Sequence, residues 1–475
     1  MTAEANGSAR NTRIFVYTGK GNVPKYVTHV RIHPSVKVIA ARAFAGCLRL
    51  VKVELCEGLE SIGEGAFYGC VLLARVSIPS TVKAIVARAF AECVGLVEVE
   101  LCKGLEVIGK GAFRGCTSLT RVTIPSTVRL ILASSFWGCV GLVEVKLCQG
   151  LELIGKEAFR GCISLTRVTI PSTIKLILEG SFWGCVGLVE VELCKGIEAI
   201  GKGAFRGCTS LPRVTIPSTV KVIAAGAFTG CVGLVEVELC RGIEEIREEA
   251  FRRCTSLKRI TTPSSVRVIG SWAFGGCAEL VNVELGEGLK TIGLGAFYYC
   301  ISLKQSTIPS TVRVLGARAF EGCEELLKVE LCEGLEEIGD RAFYYCVSLK
   351  RITTPSTIRV IGDGAFEGCE ELVGVELCEG LRKVGGGAFH NCKSLRIIAF
   401  PLSCKLLGKF YEANRFGKLP IHKLCYYQPY HPPVTTMRHI EGAIGAAAHP
   451  NVTGTQRDCL GMTSLHILAC STKHD

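Results

Sequence analysis

The chain has 475 residues, 48% of them hydrophobic and 21% charged, which supplies an extended apolar core and excludes wholesale disorder. Its 54 glycines follow no Gly-x-y period, which excludes a collagen-like fibre. A formal net charge of +12 permits contact with nucleic acid or anionic surfaces but demonstrates neither.

Residues 1–27 are poorly patterned and read as an N-terminal cap or flexible leader. Within them RIFVYTG, residues 13–19, is expected to add a first strand or close a core end. The N-terminus has no long apolar run of the secretory type, and no later stretch approaches the about 18 apolar residues of a membrane span. The expected location is cytoplasmic or otherwise intracellular, with secretion reserved for an incomplete N-terminus.

From residue 28 a period takes over. Phe recurs every 23 residues from Phe44 to Phe389, each followed three positions later by Cys, from Cys47 to Cys392. A unit this short cannot close its own core, so about 16 coils are expected to stack as one solenoid over residues 28–400. A second period of 46 separates even coils, of the type LVEVELCKGIEAIGKGAFRGC, from odd coils, of the type LPRVTIPSTVKVIAAGAFTGC.

In each coil a short strand comes first. Val237 and Leu239 alternate with Glu236 and Glu238, as on a strand with one buried face. A Gly or Pro then turns the chain, and Ala-Phe-x-x-Cys predicts a tight helical or 3₁₀ turn. Phe113, Phe159, Phe205, Phe251, Phe297 and Phe343 are assigned to a stacked aromatic core, with Cys208 and Cys254 as small inward residues. No His recurs at a fixed distance from these cysteines, so a catalytic Cys is not expected. The 27 Cys form no C-x-x-C knuckles, so reduced thiols are expected, with no metal and no cofactor.

The run Leu119-Thr-Arg-Val122-Thr-Ile124-Pro125-Ser-Thr-Val128, continued by Ile131, Phe136 and Cys139, resembles the BspA-like leucine-rich repeat. The resemblance implies a curved solenoid with parallel strands on its concave side, here read as an α/β repeat solenoid and a right-handed coil. It also implies recognition rather than catalysis. The expected function is a noncatalytic protein-binding scaffold with a long polar concave surface and an unidentified protein partner. The alternative is a cell-surface or secreted adhesion protein binding glycans or host proteins, against which the missing export signal counts.

One outward strand column alternates acid and base from Glu98 to Arg259, which does not suit a phosphate-tracking groove, so nucleic acid is not an expected partner. The alternation breaks at Asn282, Gln305, Lys328 and Gly374. Asn282, Gln305, Lys328 and Arg351 are therefore the binding candidates. Trp137, Trp183, Trp272, Tyr298, Tyr299, Tyr344 and Tyr345 lie beside the Phe turns. Their positions leave open a recognition patch within residues 268–353 or a cover on the convex seam.

After Leu395 the pattern dissolves, and residues 401–475 read as a partly helical C-terminal cap. Leu406, Leu407, Phe410 and Tyr411 suggest a short amphipathic helix, and residues 436–447 another. RDCLGMTSLHILAC, residues 457–470, resembles the front half of an ankyrin repeat through Asp458, Gly461, Thr463, Leu465, His466 and Ala469, with Ser464 at the usual Pro. That resemblance implies a structural duty for Thr463 and His466.

Overall fold

A computed structural model describes residues 14–401 and 423–427. Each repeat contributes two strands. The Val-centred alternation forms a long strand of three or four residues, such as Arg121–Thr123, with Val122 buried and its neighbours exposed. An apolar pair a few residues on forms a two-residue strand, such as Leu130–Ile131. The result is a parallel-strand β-solenoid of about 16 turns, divided into two compact units, residues 1–217 and 218–475.

In the first unit the long strands pair in parallel from Phe15–Tyr17 through His29–Ile32 and Lys52–Glu54 to Glu190–Leu193. The two-residue strands Val38–Ile39 to Leu153–Ile154 form a second parallel sheet. In the second unit the long strands pair from Glu236–Leu239 to Lys328–Leu331. A further parallel sheet runs from Arg351–Thr353 through Gly374–Glu376 and Ile397–Pro401 to Lys423–Tyr427. The register keeps the sequence period, with Val122 opposite Val145 and Ser306 opposite Val329.

Fully buried phenylalanines fill the interior. Phe113 stacks on Phe136 with centroids 5.3 Å apart, Phe159 on Phe182 at 5.4 Å, Phe182 on Phe205 at 5.4 Å, and Phe251 on Phe274 at 5.4 Å. Phe297 and Phe343 continue the stack of the second unit, 5.1 and 5.5 Å from Phe320. Tyr17 meets Phe44 edge-on at 5.0 Å at the start of the first unit. Cys208 and Cys254 are fully buried, and each thiol donates to the Phe carbonyl of the preceding coil, Phe182 and Phe228, at 3.3 Å.

The α/β expectation is corrected, because the described residues contain no helix. The Ala-Phe-x-x-Cys segment is a run of turns whose alternate amides leave the coil. Ala112, Arg114 and Cys116 donate three residues back, whereas Gly111, Phe113 and Gly115 donate to Ala133, Ser135 and Trp137 of the next coil. Gly111 and Gly115 have φ of 61° and 73°, in the left-handed region that helices of L-residues avoid. Half of the donors a helix would use therefore bind the neighbouring coil instead.

At the C-terminal side, Ile397–Pro401 crosses the expected boundary at residue 400, and Lys423–Tyr427 adds a strand that sequence reasoning missed. Ile397 lies opposite Lys423, a step of 26 residues instead of 23. The expected helices at 406–411 and 436–447 and the ankyrin-like segment at 457–470 lie outside the described residues.

Candidate functional site

The exposed face of the long strands carries ladders of side chains one coil apart. In the first unit Arg75 pairs with Glu98 at 3.5 Å, Arg121 with Glu144 at 3.7 Å and Arg167 with Glu190 at 2.6 Å. Beside them, odd-coil hydroxyls donate to even-coil carboxylates, Ser77 to Glu100 at 2.8 Å and Thr169 to Glu192 at 3.0 Å. Most polar groups on this face thus already have partners within the chain.

In the second unit the acid–base order stops. Arg259, Asn282, Gln305 and Lys328 occupy four successive rungs with no carboxylate among them. Asn282 donates through Nδ2 to Glu284 of its own strand at 3.3 Å, and Lys328 Nζ stands 3.9 Å from Glu330. Asn282, Gln305 and Lys328, with Glu284 and Thr307, line a depression of about 320 Å³. Beneath it Ser306, 4% exposed, takes the inward place held by Val283 and Val329 on the adjoining strands, and its buried hydroxyl has no partner.

Arg351, the fourth candidate, lies on the strand that begins the next sheet, opposite Gly374. It stands near Glu376, a carboxyl 2% exposed that accepts from Thr353 at 3.2 Å. Burial raises the pKa of Glu376 to about 7, against the opposing effects of that hydrogen bond and of Arg351.

The aromatic residues sit on the turn seam. Trp137 is sandwiched between Arg114 at 4.0 Å and Arg160 at 5.3 Å, and Trp183 between Arg160 at 3.9 Å and Arg206 at 5.1 Å. Both indole faces are thus occupied by the protein's own guanidinium groups. Trp272 meets Tyr298 edge-on at 4.8 Å, and Tyr298 and Tyr344 flank the buried Glu321 in the coil sequence. Burial, then Glu321, pushes the Tyr298 hydroxyl above its usual range.

A further ladder, overlooked in the sequence reading, precedes the two-residue strands. Lys37 pairs with Glu60 at 3.5 Å, Lys83 with Glu106 at 3.3 Å, Arg129 with Glu152 at 2.5 Å and Lys175 with Glu198 at 3.1 Å. Lys221 with Glu244 at 3.3 Å and Arg313 with Glu336 at 2.9 Å continue the series. Its signal was the base at one coil and the acid 23 residues on. The exceptions are Lys290 and Arg382, where the rule calls for Glu.

Among the described residues no group of His, Cys, Asp and Glu could hold a metal ion, and the cysteines carry free thiols. Burial holds inner thiols such as Cys139 and Cys185 up at about 12, so they stay protonated. Among the described residues no helix is long and apolar enough to cross a membrane.

The BspA type leucine rich repeat region (6 copies) matches at residues 24–143, 130–258, 198–327, 244–353 and 290–415. The chain belongs to the BspA-type leucine-rich repeat family. A crystal structure of a leucine-rich repeat protein from Bacteroides ovatus is 25% identical, with a TM-score of 0.53 over 86% of this chain and 91% of that one. A leucine-rich repeat protein of T. pallidum is 32% identical, with a TM-score of 0.30, over 38% of this chain and 77% of that one. A leucine rich cell surface protein from Faecalibacterium prausnitzii is 24% identical, with a TM-score of 0.35, over 88% and 98%. None of the curated proteins compared with this BspA-type chain matches it.

Proposed function

We propose that this BspA-type protein is a noncatalytic scaffold that binds a protein partner on its exposed long-strand face, centred on Asn282, Gln305 and Lys328. The observation that carries this reading is the interruption of the Arg–Glu ladder at these rungs, beside a depression of about 320 Å³. On the rungs from Arg75 to Glu190 a partner would have to desolvate side chains that are already paired. Here amide and ammonium donors can turn to a partner with little internal bonding to lose. A preformed strand array also lowers the ordering cost of association. We also propose an intracellular setting, because the odd total of 27 Cys and the lack of paired C-x-x-C spacing suit reduced thiols.

The test is capture of the endogenous partner by the full chain. The double variant Q305E/K328E is expected to lose the partner while keeping its circular dichroism and thermal midpoint. R167Q/E190Q, which removes a paired rung, is expected to retain it. A partner kept by Q305E/K328E would put the contact elsewhere.

A further inference from the structure

The even coil that begins near residue 280 departs from its type at three places. Asn282 stands where Glu144, Glu190 and Glu236 stand in other even coils, Gly286 replaces the strand-end Cys, and Lys290 replaces the acid of the short-strand ladder. The last change alters that ladder most. Val268, Thr291 and Val314 are neighbours in the short-strand register, so the residues before them, Arg267, Lys290 and Arg313, stand on three successive rungs. All three are exposed. Arg313 pairs with Glu336, whereas Arg267 and Lys290 make no ion pair among the described residues.

Like charges facing each other across adjacent strands, about 4.8 Å apart, oppose folding. A glutamate at 290 would have relieved this, as Glu60, Glu106, Glu152, Glu198 and Glu244 do for their own neighbours. The chain therefore retains a row that weakens its own ladder, which is a mark of use rather than of architecture.

The row is also short. Glu244 precedes it and Glu336 follows it in the same column, so the positive stretch spans about 10 Å, two strand spacings. A nucleic acid or a sulfated polysaccharide, with anions along its whole length, would run into a carboxylate at either end. A peptide with two or three acidic side chains would not. Val314, 45% exposed beside Arg313, and the exposed Thr291 beside Lys290 offer such a peptide an apolar contact and a hydroxyl.

We propose that Arg267, Lys290 and Arg313 bind a short acidic segment of a partner polypeptide, an assignment that rests on the protein-binding reading above. The probe is a fluorescein-labelled peptide with three glutamates at alternate positions, titrated into the full chain at physiological salt and read by anisotropy. K290E is expected to weaken binding at least about tenfold. Its thermal midpoint should stay level or rise, because the new carboxylate meets Arg267, so a loss cannot be blamed on misfolding. K103E/K110E alters two exposed lysines far along the sequence, changes the net charge by twice as much, and is expected to leave affinity within about twofold.

Unchanged affinity in K290E, an equal loss in K103E/K110E, or equally tight binding of an oligonucleotide of the same charge would overturn the assignment. The two readings separate cleanly. If Q305E/K328E loses the endogenous partner but K290E binds the probe normally, the long-strand site stands and the basic row falls. If K290E loses the probe but Q305E/K328E keeps the partner, the long-strand site falls and the basic row stands.

Discussion

The thiol of Cys139 donates to the carbonyl oxygen of Phe113, 3.1 Å away and 26 residues earlier. The same bond joins Cys116 to Phe90 at 3.2 Å and Cys162 to Phe136 at 3.3 Å. The column of cysteines is thus a column of protonated donors, each adding a second bond to a Phe carbonyl that already accepts the amide three residues on, as Phe113 accepts from Cys116. Alkylation should follow this division. With iodoacetamide at mildly alkaline pH, mapped by mass spectrometry, the half-buried strand-end Cys102, Cys194 and Cys332 are expected to label in the folded chain. Cys139, Cys162 and Cys185 are expected to label only on unfolding. Equal rates for the two groups would contradict the assigned bonds.

Removing one ring from the stack should cost far more than removing one exposed charge. Phe159 is fully buried between Phe136 and Phe182, and Phe159→Ala is expected to destabilise the array by about 3–5 kcal/mol. Glu190 pairs with Arg167 in solvent, and Glu190→Gln is expected to cost less than about 1 kcal/mol. Local hydrogen exchange reads both, and equal losses of protection would be inconsistent with the inward and outward columns.

Gly104 and Gly69 both have positive φ, 124° and 69°, but only the first is crowded. A Cβ on Gly104 would lie 2.1 Å from the Ser80 carbonyl oxygen, whereas one on Gly69 would meet nothing within 4 Å. Gly69→Ala should therefore cost only the left-handed conformation, about 1–2 kcal/mol. Gly104→Ala must also displace backbone and is expected to lower the thermal midpoint further. Equal midpoints for the two variants would count against the close approach.

Glu376 gives a pH dependence of defined sign. Its pKa rises from 4.5 to about 7 on folding, chiefly through burial. Between those values the folded chain holds a proton that the unfolded chain has released. Its contribution to stability is therefore complete below about 4.5, falls as pH rises to about 7, and is level beyond. Denaturant titrations of Glu376→Gln should lack this slope. A variant with the same pH profile as the native chain would rule out Glu376 as its source.

The parts legible in the sequence were those set by the 23-residue period. That period put Phe113 on Phe136 and Arg121 beside Glu144, because stacking with constant register turns sequence spacing into neighbours. It also brought Asn282, Gln305 and Lys328 to adjoining rungs. The turn after Ala112 was less legible. Its spacing suits a helical turn equally well, and the direction of the Phe113 amide toward Ser135 is a property of the stack rather than of the local residues. Lys423–Tyr427 escaped because its step is 26 residues and no Ala-Phe-x-x-Cys turn lies between Cys392 and it. The depression beside Gln305 depends on side-chain volumes, which periodicity does not report.

The charge ladders have a consequence for how such a chain lengthens. Both the Arg121–Glu144 column and the Arg129–Glu152 column repeat over two coils, not one. Duplicating a single 23-residue segment would set base against base, or acid against acid, in both columns at once. Duplicating 46 residues leaves every rung with its proper neighbour. The ladders act as a parity rule on the gene: growth by even steps is electrostatically silent, and each odd step leaves a seam of like charge.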